Sequence, residues 1–444
     1  MSALPAHPNE TRLSPTRRIV LVSSFACSPL WGSEPGVGWQ WLLHIAKRHQ
    51  VVLLTHAFFR DHLEPALAQA QIDVEVHYLR PPAFGLHPHV QLNSRVYYTW
   101  WQWFARRYAT GLVKKHKFDL IHHLTWGSLR FPCFLTGLGV PLVMGPLGGG
   151  ESAPMRFFKG LPWRTRAFDL LRSASLRWVH LDPLATWGPL RSDLVLCRSA
   201  DSLQALPYSV RERAVVCGEI GSPAIVVKKR EERPTPNQNR RIKLLFAGRL
   251  IGWKGVSLAV GAVANLRRRG WDVQLDIAGD GPLRQFLAKR ISSEGLEDCV
   301  SLLGVVPRPL LMEMYGQADL FLFPSLHDSG GTVVLEALSR GLPVICLDLG
   351  GPQNYLNTEC GVVVGTRDLD RLELEYALAE AIAPLLAHPE RISLMSRAAE
   401  RHAQAQSWEA MVAAGYAHIH RRLNWSAPCQ HASATQGVQW RERC

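Results

Sequence analysis

The sequence predicts an α/β protein: two doubly wound parallel sheets facing each other across a cleft. Three observations lead there. Short apolar, β-branched runs alternate with amphipathic stretches through both halves of the chain, the pattern of strands joined by crossover helices. Between the halves, KKREERPTPNQNRR (228–241) is charged and holds two prolines but no aliphatic or aromatic residue, as a linker does. The 444 residues suit two domains at roughly 100–200 residues each.

Residues 1–17 are polar and read as a flexible tail. RRIVLVSSFAC (17–27) is the first buried strand, a short β-branched run ending in small residues. A loop with Gly32, Gly36 and Gly38 opens a helix over 37–48. Strands follow at 51–57, 74–79, 118–124 and 141–146, with helical stretches between them. Strands 193–199 and 214–221 complete this half, which spans 18–227. The second half, 242–400, repeats the pattern. Strand 242–248 precedes a helix over 255–269, and strand 273–279 precedes a helix from Pro282. Then come strand 299–304, helix 309–316, strand 318–325, helix 332–340, strands 343–348 and 361–365, and a helix over 370–387. A last helical stretch (405–423, within 401–424) is expected to pack back on the first domain. Residues 425–444 read as a second flexible tail.

Composition narrows the function. Hydrophobic residues at 47% and charged residues at 20% exclude a chain disordered over most of its length. The net charge of +13 favours an anionic partner: nucleic acid, an anionic membrane or a phosphorylated substrate. No helix-turn-helix, zinc finger or RNP-like motif is present, so nucleic acid is not the expected partner. The nine cysteines form no CxxC pair and read as reduced, mostly buried thiols, with no zinc-ligand spacing. The start has no apolar signal-peptide core, and no run approaches the roughly 20 apolar residues of a spanning helix. The expected location is therefore cytoplasmic, with the inner face of the membrane as the alternative.

The chemistry concentrates in the second half. Gly248-Arg249-Leu250 follows a strand, and Lys254-Gly255 opens the next helix. Two cations and a glycine at a helix start make a site for a diphosphate, since charge, free N–H groups and the helix dipole agree. A surface Arg and Lys flanking an ordinary turn would carry the same letters. Next, PSLHDSGGTVVLE (324–336) places Asp328 after a strand, Gly330 and Gly331 in a loop and Glu336 one turn inside the following helix. Glu336 suits the two hydroxyls of a ribose, or simply the positive end of the helix. Third, Gly279-Asp280-Gly281-Pro282 closes a strand. This turn is mostly structural, and lining a base pocket is its lesser reading.

In order, GRLxxxKG, IAGDGP, LLGxV and PSxxDSGGxxVLEALxxGxPV resemble the nucleotide-sugar half of glycosyltransferase family 4, among the group 1 glycosyltransferases, over 242–365. The resemblance implies the GT-B fold, two Rossmann-like domains facing across a cleft. It implies that Arg249 and Lys254 bind the donor diphosphate and that Glu336 holds the ribose. Asp328 would sit by the donor sugar, where the family usually has Glu. Gly248, Gly330, Gly331 and Thr332 would line the sugar and phosphates, and Gly279, Val305 and Val306 the base. SFACSPLWGSEPGVGWQW looks like the family's Gly-rich loop after the first strand, with Gly36 and Gly38 facing the cleft. Family members often carry a cleft histidine after the strand that matches FDLIHHL; of His122 and His123, His123 is the choice for a catalytic role.

The implied activity is retaining sugar transfer from a nucleoside diphosphate sugar to a glycan or lipid-linked acceptor in polysaccharide or cell-envelope assembly. No metal or other cofactor is expected, because Arg249, Lys254 and a helix start would meet the leaving group's charge. Ten of the 15 tryptophans precede residue 190, and 96–117 and 155–178 mix aromatics with Arg and Lys. Such stretches suit either an anionic membrane surface or a core-facing stripe with a solvated basic face. Two alternatives stay open. One is a non-catalytic binder of anionic polymer or membrane on the same scaffold; the other is another GT-B enzyme, a phosphorylase or an epimerase.

Overall fold

The structure, a computed structural model, describes residues 17–82, 92, 94–177, 179–223 and 241–425. The expected linker at 228–241 falls outside the described residues except for Arg241. So do the two tails, apart from Arg17 and Trp425.

Two parallel sheets organise the chain. The first holds β1 (Ile19–Ser24), β2 (Gln50–His56), β3 (Val74–Leu79), β4 (Leu120–Thr125), β5 (Leu142–Leu147), β6 (Leu194–Cys197) and β7 (Ala214–Val216). Their order is β3-β2-β1-β4-β5-β6-β7. The second holds β8 (Ile242–Ala247), β9 (Val273–Ala278), β10 (Val300–Gly304), β11 (Leu320–Phe323), β12 (Val344–Leu347) and β13 (Gly361–Val364), in the order β10-β9-β8-β11-β12-β13. Strands such as IVLVSS and LFLF are buried almost throughout. That follows from their place inside a parallel sheet, where helices cover both faces and no position needs to be polar.

Both sheets reverse their winding between two neighbours, β1 and β4 in one, β8 and β11 in the other. At such a point the flanking loops diverge and leave a crevice beyond the carboxyl ends of the strands. The two crevices meet. A Cβ at Gly148, after β5, would lie 3.0 Å from Ser329 Oγ, after β11. One at Gly330 would lie 2.6 Å from Ile220 Cδ1.

Most helices start and end within a residue or two of their expected bounds. Two regions differ. The first helix, α1, runs from Ser33 to Ala46, four residues earlier than expected. Pro35 falls in its first turn, where a missing N–H costs nothing, so the Gly-rich segment continues the helix instead of delaying it. The stretch expected at 405–423 is the end of one helix, Pro389–Ala405, and the whole of another, Trp408–Arg422. Ser407 separates them and caps the second by accepting from Ala410 N. Trp408–Arg422 packs on α1: a Cβ at Gly415 would lie 2.7 Å from the Trp41 ring. Ser222 N donates to Gln406 O (2.7 Å), joining the end of the first half to this return crossing.

Candidate active site

The loops after β8, β9, β10 and β11 lock together through backbone contacts. Gly248 N donates to Ala278 O (2.9 Å), Leu250 N to Asp280 O (3.0 Å) and Gly279 N to Gly304 O (2.7 Å). Gly279 has φ +146°, and a Cβ there would lie 1.9 Å from Gly248 O. Gly255 has φ +70°, and its Cβ would lie 1.8 Å from Pro324 O. No side chain fits at either position. Leu326 N closes the set on Trp253 O at 2.7 Å.

This lock brings the second-half candidates to one place. Lys254 ends a short 3-10 turn, and its Nζ pairs with Asp328 Oδ2. The same Nζ lies 5.3 Å from the centre of the Phe323 ring. Gly248 flanks the lysine stem. Arg249 is exposed and pairs with no carboxylate among the described residues. Gly331, at φ +71°, is the cap of the helix Thr332–Ser339, with Thr332 exposed at its start and Gly330 buried before it.

Glu336, one turn inside that helix, is buried and accepts from Arg308 Nη2 at 2.8 Å. Burial raises its carboxyl above the ordinary value against the pull of Arg308. Arg308 opens the helix Arg308–Gln317 just after Val305 and Val306. Val305 is 79% exposed and Val306 half-buried. Arg308 thus ties Glu336 to the start of the helix that follows the two valines.

In the first half the structure corrects three expectations. His123 does not line the cleft. Its Nε2 meets the Tyr98 hydroxyl (3.1 Å) and its Nδ1 meets Ser23 Oγ (3.2 Å), beneath the helix Arg95–Lys115. His122 points to the opposite face, with Nε2 on Gly145 O (2.9 Å) and Nδ1 on the Tyr416 hydroxyl (3.3 Å). Burial pushes His123 down to about 3 and His122 to about 4, so both are neutral. The reason is topological: side chains alternate along β4, and helices cover both sides of an internal strand. Gly36 and Gly38 do not form a cleft loop either. Both lie inside α1 and let it seat on the preceding loop. A Cβ at Gly38 would be 2.4 Å from Ala26 O, and one at Gly36 would be 2.5 Å from Trp31 O.

Glu34, in the first turn of α1, reaches the loops after β4 and β6. It accepts from Gly127 N (3.1 Å) and from Arg198 Nη2 (2.6 Å). The buried Arg198 guanidinium also pairs with Glu219 and donates to Pro146 O (3.1 Å). One cation thus serves two carboxylates, the buried Glu219 and the half-buried Glu34. Burial pushes Glu219 up to about 8; Arg198 opposes this, and the neighbouring Glu34 and Glu151 add to it. Glu151 itself accepts from Ser199 Oγ and Ser202 Oγ.

Where the halves meet, a cavity of about 570 Å³ is lined by Arg130, Arg172, Phe168, Trp253, His327 and Asp328, among others. Arg172 Nη2 donates to His327 Nε2 (2.7 Å), and its guanidinium sits 4.7 Å from the Trp253 ring centre. Burial, with Arg172 adding to it, pushes His327 down to about 4, so it is a neutral acceptor. Of these, sequence reasoning named Asp328 and missed the others. Trp253 and His327 lie inside the two motif segments, so the signal pointed at their loops. Arg130 and Arg172 were given no role in the site; Arg172 lay in the aromatic and basic stretch 155–178, and only the fold brings the two together.

Among the described residues, seven cysteines are free and buried, and no three His, Cys, Asp or Glu side chains gather as a metal-holding group. No helix among them is long and apolar enough to cross a membrane.

Known proteins agree with this geometry at two levels. Residues 227–402 match the family model for glycosyl transferases group 1. Over 154 residues the chain is 34% identical to the alpha-D-kanosaminyltransferase of Streptomyces kanamyceticus, covering 32% of this chain and 40% of that one. Over 169 residues it is 33% identical to a GDP-mannose-dependent phosphatidylinositol monomannoside mannosyltransferase of Mycolicibacterium smegmatis, covering 36% and 42%. These alignments span about two fifths of the curated relatives' length. Solved structures match over nearly the whole chain. The sucrose-phosphate synthase of Thermosynechococcus elongatus has a TM-score of 0.57 at 19% identity, covering 92% of this chain and 99% of its own. Anabaena HepE, solved with UDP and glucose, has 0.54 at 18%, covering 91% and 99%. Two parallel sheets meeting at their switch points, with these neighbours, make the fold GT-B, and its second half carries the group 1 glycosyl transferase pattern.

Proposed function

We propose that the protein is a retaining glycosyltransferase. In this reading it moves a sugar from a nucleoside diphosphate sugar to a glycan or lipid-linked acceptor, in polysaccharide or cell-envelope biosynthesis, with no metal or other cofactor. One observation carries it. The Lys254–Asp328 pair and the exposed Arg249 sit on the loops at the strand-order switch of the second sheet, inside the segment that matches the group 1 model. The HepE complex with UDP and glucose, on the same fold, supports a nucleotide-sugar donor.

The chemistry follows from the charges. The bond between the sugar C1 and the diphosphate oxygen breaks, and a bond from C1 to the acceptor hydroxyl oxygen forms. The hydroxyl proton leaves with the diphosphate. Negative charge grows on the leaving group, so cations already in place lower the barrier most. Lys254 and Arg249 supply them, and the N–H groups behind Gly331 add to the field. Asp328, held by Lys254, accepts from hydroxyls of the donor sugar. Glu336 accepts from the ribose once Arg308, whose side chain is 66% exposed, swings aside. Val305 and Val306 give the base an apolar edge.

The test is a calorimetric and thermal-shift screen against UDP, GDP, ADP, CMP and dTDP, with Arg249→Ala as control. One nucleotide that raises the melting temperature of the wild type and not of the control is the expected result, because a ligand stabilises the state that binds it. Folded protein that responds to none of the five ends the donor-site reading.

Anionic membrane is the proposed working surface, at the inner face. Trp100 and Trp103 stack at 5.4 Å on the helix Arg95–Lys115 and are both exposed, as are Leu184 and Trp187 on the helix Pro183–Arg191. The guanidinium of Arg191 lies 3.8 Å from the Trp187 ring centre. Arg95 joins the two helices through Asp182. Aromatic rings beside guanidinium groups suit the headgroup region. Co-sedimentation with vesicles containing anionic lipid should exceed that with neutral vesicles and fall in Trp100→Ser/Trp103→Ser. Equal recovery with both lipids would remove the membrane from this reading.

A further inference from the structure

The cavity between the halves has a chemistry that the donor site does not explain. It lies between the helix Trp163–Arg177 of the first half and the loops after β8 and β11, and it opens on Asp328. Asp328 is the carboxylate placed beside the donor sugar in the proposed reaction, so the cavity occupies the side from which an acceptor approaches.

Two guanidinium groups line it, both half-buried. Arg130 donates to Arg172 O at 3.3 Å and pairs with no carboxylate among the described residues. Burial lowers its pKa, and the charges of Arg172 and Arg95 lower it further. A cation crowded by two others, with no carboxylate paired to it among the described residues, is short of negative charge. The carboxylates that act on Arg172 are Asp169, Glu151 and Asp328. Asp328 is paired with Lys254. Glu151 is held by two serine hydroxyls. Asp169 is pushed up to about 6 by burial, and its Oδ2 has no hydrogen-bond partner.

Phe168, Leu171 and Trp253 form the apolar walls, and His327, Asp328 and Ser329 the polar rim toward the donor site. Phe168 and Trp253 stack across the boundary between the halves, 6.2 Å apart and 16° from parallel. Arg172 lies over the same indole. An aromatic face takes the C–H face of a sugar ring, and a guanidinium at its edge takes an oxyanion in a forked pair. The volume, about 570 Å³, is of the size that holds a sugar with one charged substituent.

From this geometry we infer that the acceptor is anionic: the cavity binds a sugar bearing a phosphate or a carboxylate, with the oxyanion on Arg130 and Arg172 and the ring on Trp253. The inference rests on the glycosyl-transfer reading for the word acceptor. The anion site itself stands on the cavity.

The test is calorimetric titration of the full-length protein with glucose 1-phosphate, glucuronate and methyl glucoside. The proteins are the wild type, Arg130→Gln/Arg172→Gln, Arg130→Lys and the donor-site variant Arg249→Ala. At least one anionic sugar should bind about tenfold or more tighter than methyl glucoside, and the double variant should lose that margin. Arg130→Lys keeps the charge and should keep most of it. Arg249→Ala should bind the anionic sugar as the wild type does. Phosphate binding with weak glucuronate binding marks a phosphorylated acceptor, and the reverse marks an acidic sugar.

Three results overturn the inference. Methyl glucoside binding as tightly as both anions is one. A folded double variant, checked by its melting curve, that binds the anion normally is another, as is a wild type that binds none of the three. Nucleotide titration of the same samples separates the two readings. Loss of nucleotide affinity in the double variant would make the cavity part of the donor site. A wild type that takes the anionic sugar but no nucleotide would end the transferase reading and leave the anion site standing.

Discussion

The two halves share one winding rule and treat their strand ends in opposite ways. In the second half, the polar groups at the ends of β8 and β11 face open space. Arg249 is exposed, and Lys254 and Asp328 are each about one-fifth exposed. In the first half, the polar groups near the ends of β4, β5 and β6 are turned inward. His122 and His123 are sealed under helices, and Arg198 is sandwiched between Glu34 and Glu219. The charges available on that side come from elsewhere, Arg130 on a loop and Arg172 on a helix. A ligand that is the same in every turnover suits a site fixed by strand ends. A ligand that differs from protein to protein suits one carried on helices and loops, which change without disturbing a sheet.

Four substitutions test that contrast, the largest effect first. Lys254→Ala removes the cation nearest the leaving group and should lower kcat/KM for donor consumption by a factor on the order of 10²–10³, with the melting temperature nearly unchanged. Glu336→Ala should raise the donor KM about tenfold and leave kcat closer to normal, since a hydrogen bond to a charged group is worth about 1.5–3 kcal/mol. Wild-type rates in either variant would remove that residue from the site. His123→Leu should do the reverse, losing about 1–3 kcal/mol of stability as Ser23 and Tyr98 lose a buried partner while nucleotide affinity holds. A stable His123→Leu that is inactive would restore the histidine to the reaction.

Glu219 gives the smallest effect, and it depends on pH. The folded protein holds this carboxyl proton up to about 8, whereas the ordinary value is 4.5. Across that window the native state binds more protons than the unfolded chain, so this group makes stability fall as pH rises. Glu219→Gln should flatten that part of the melting-temperature profile. An unchanged slope would mean that Arg198 keeps Glu219 ionised.

Legibility in the sequence follows the same division. Lys254, Asp328 and Glu336 stand within 13 residues of a strand end, a spacing that suggested one rim of the sheet and to which the family resemblance gave roles. The strands themselves were legible because a fully buried parallel strand is an uninterrupted apolar run. What the spacing left out was direction. FDLIHHL marks a strand but not which histidine is covered, because that depends on Tyr98 and Tyr416, 25 and 294 residues away. Gly36 and Gly38 read as a loop because glycine is rare inside helices; their use here, close seating of α1 on Ala26 O, is a tertiary fact. Arg172 lay in the 155–178 stretch, read there as a membrane-facing or core-facing helix, and Arg130 was not singled out.

The return of the chain to the first half has a mechanical consequence. Polypeptide passes between the halves twice, once beyond Ser222 and once at Ser407, and those two points are hydrogen-bonded neighbours. With the end of the first half and the return crossing joined at one edge, that edge is the natural hinge line for any closing of the cleft, and groups far from it would travel most.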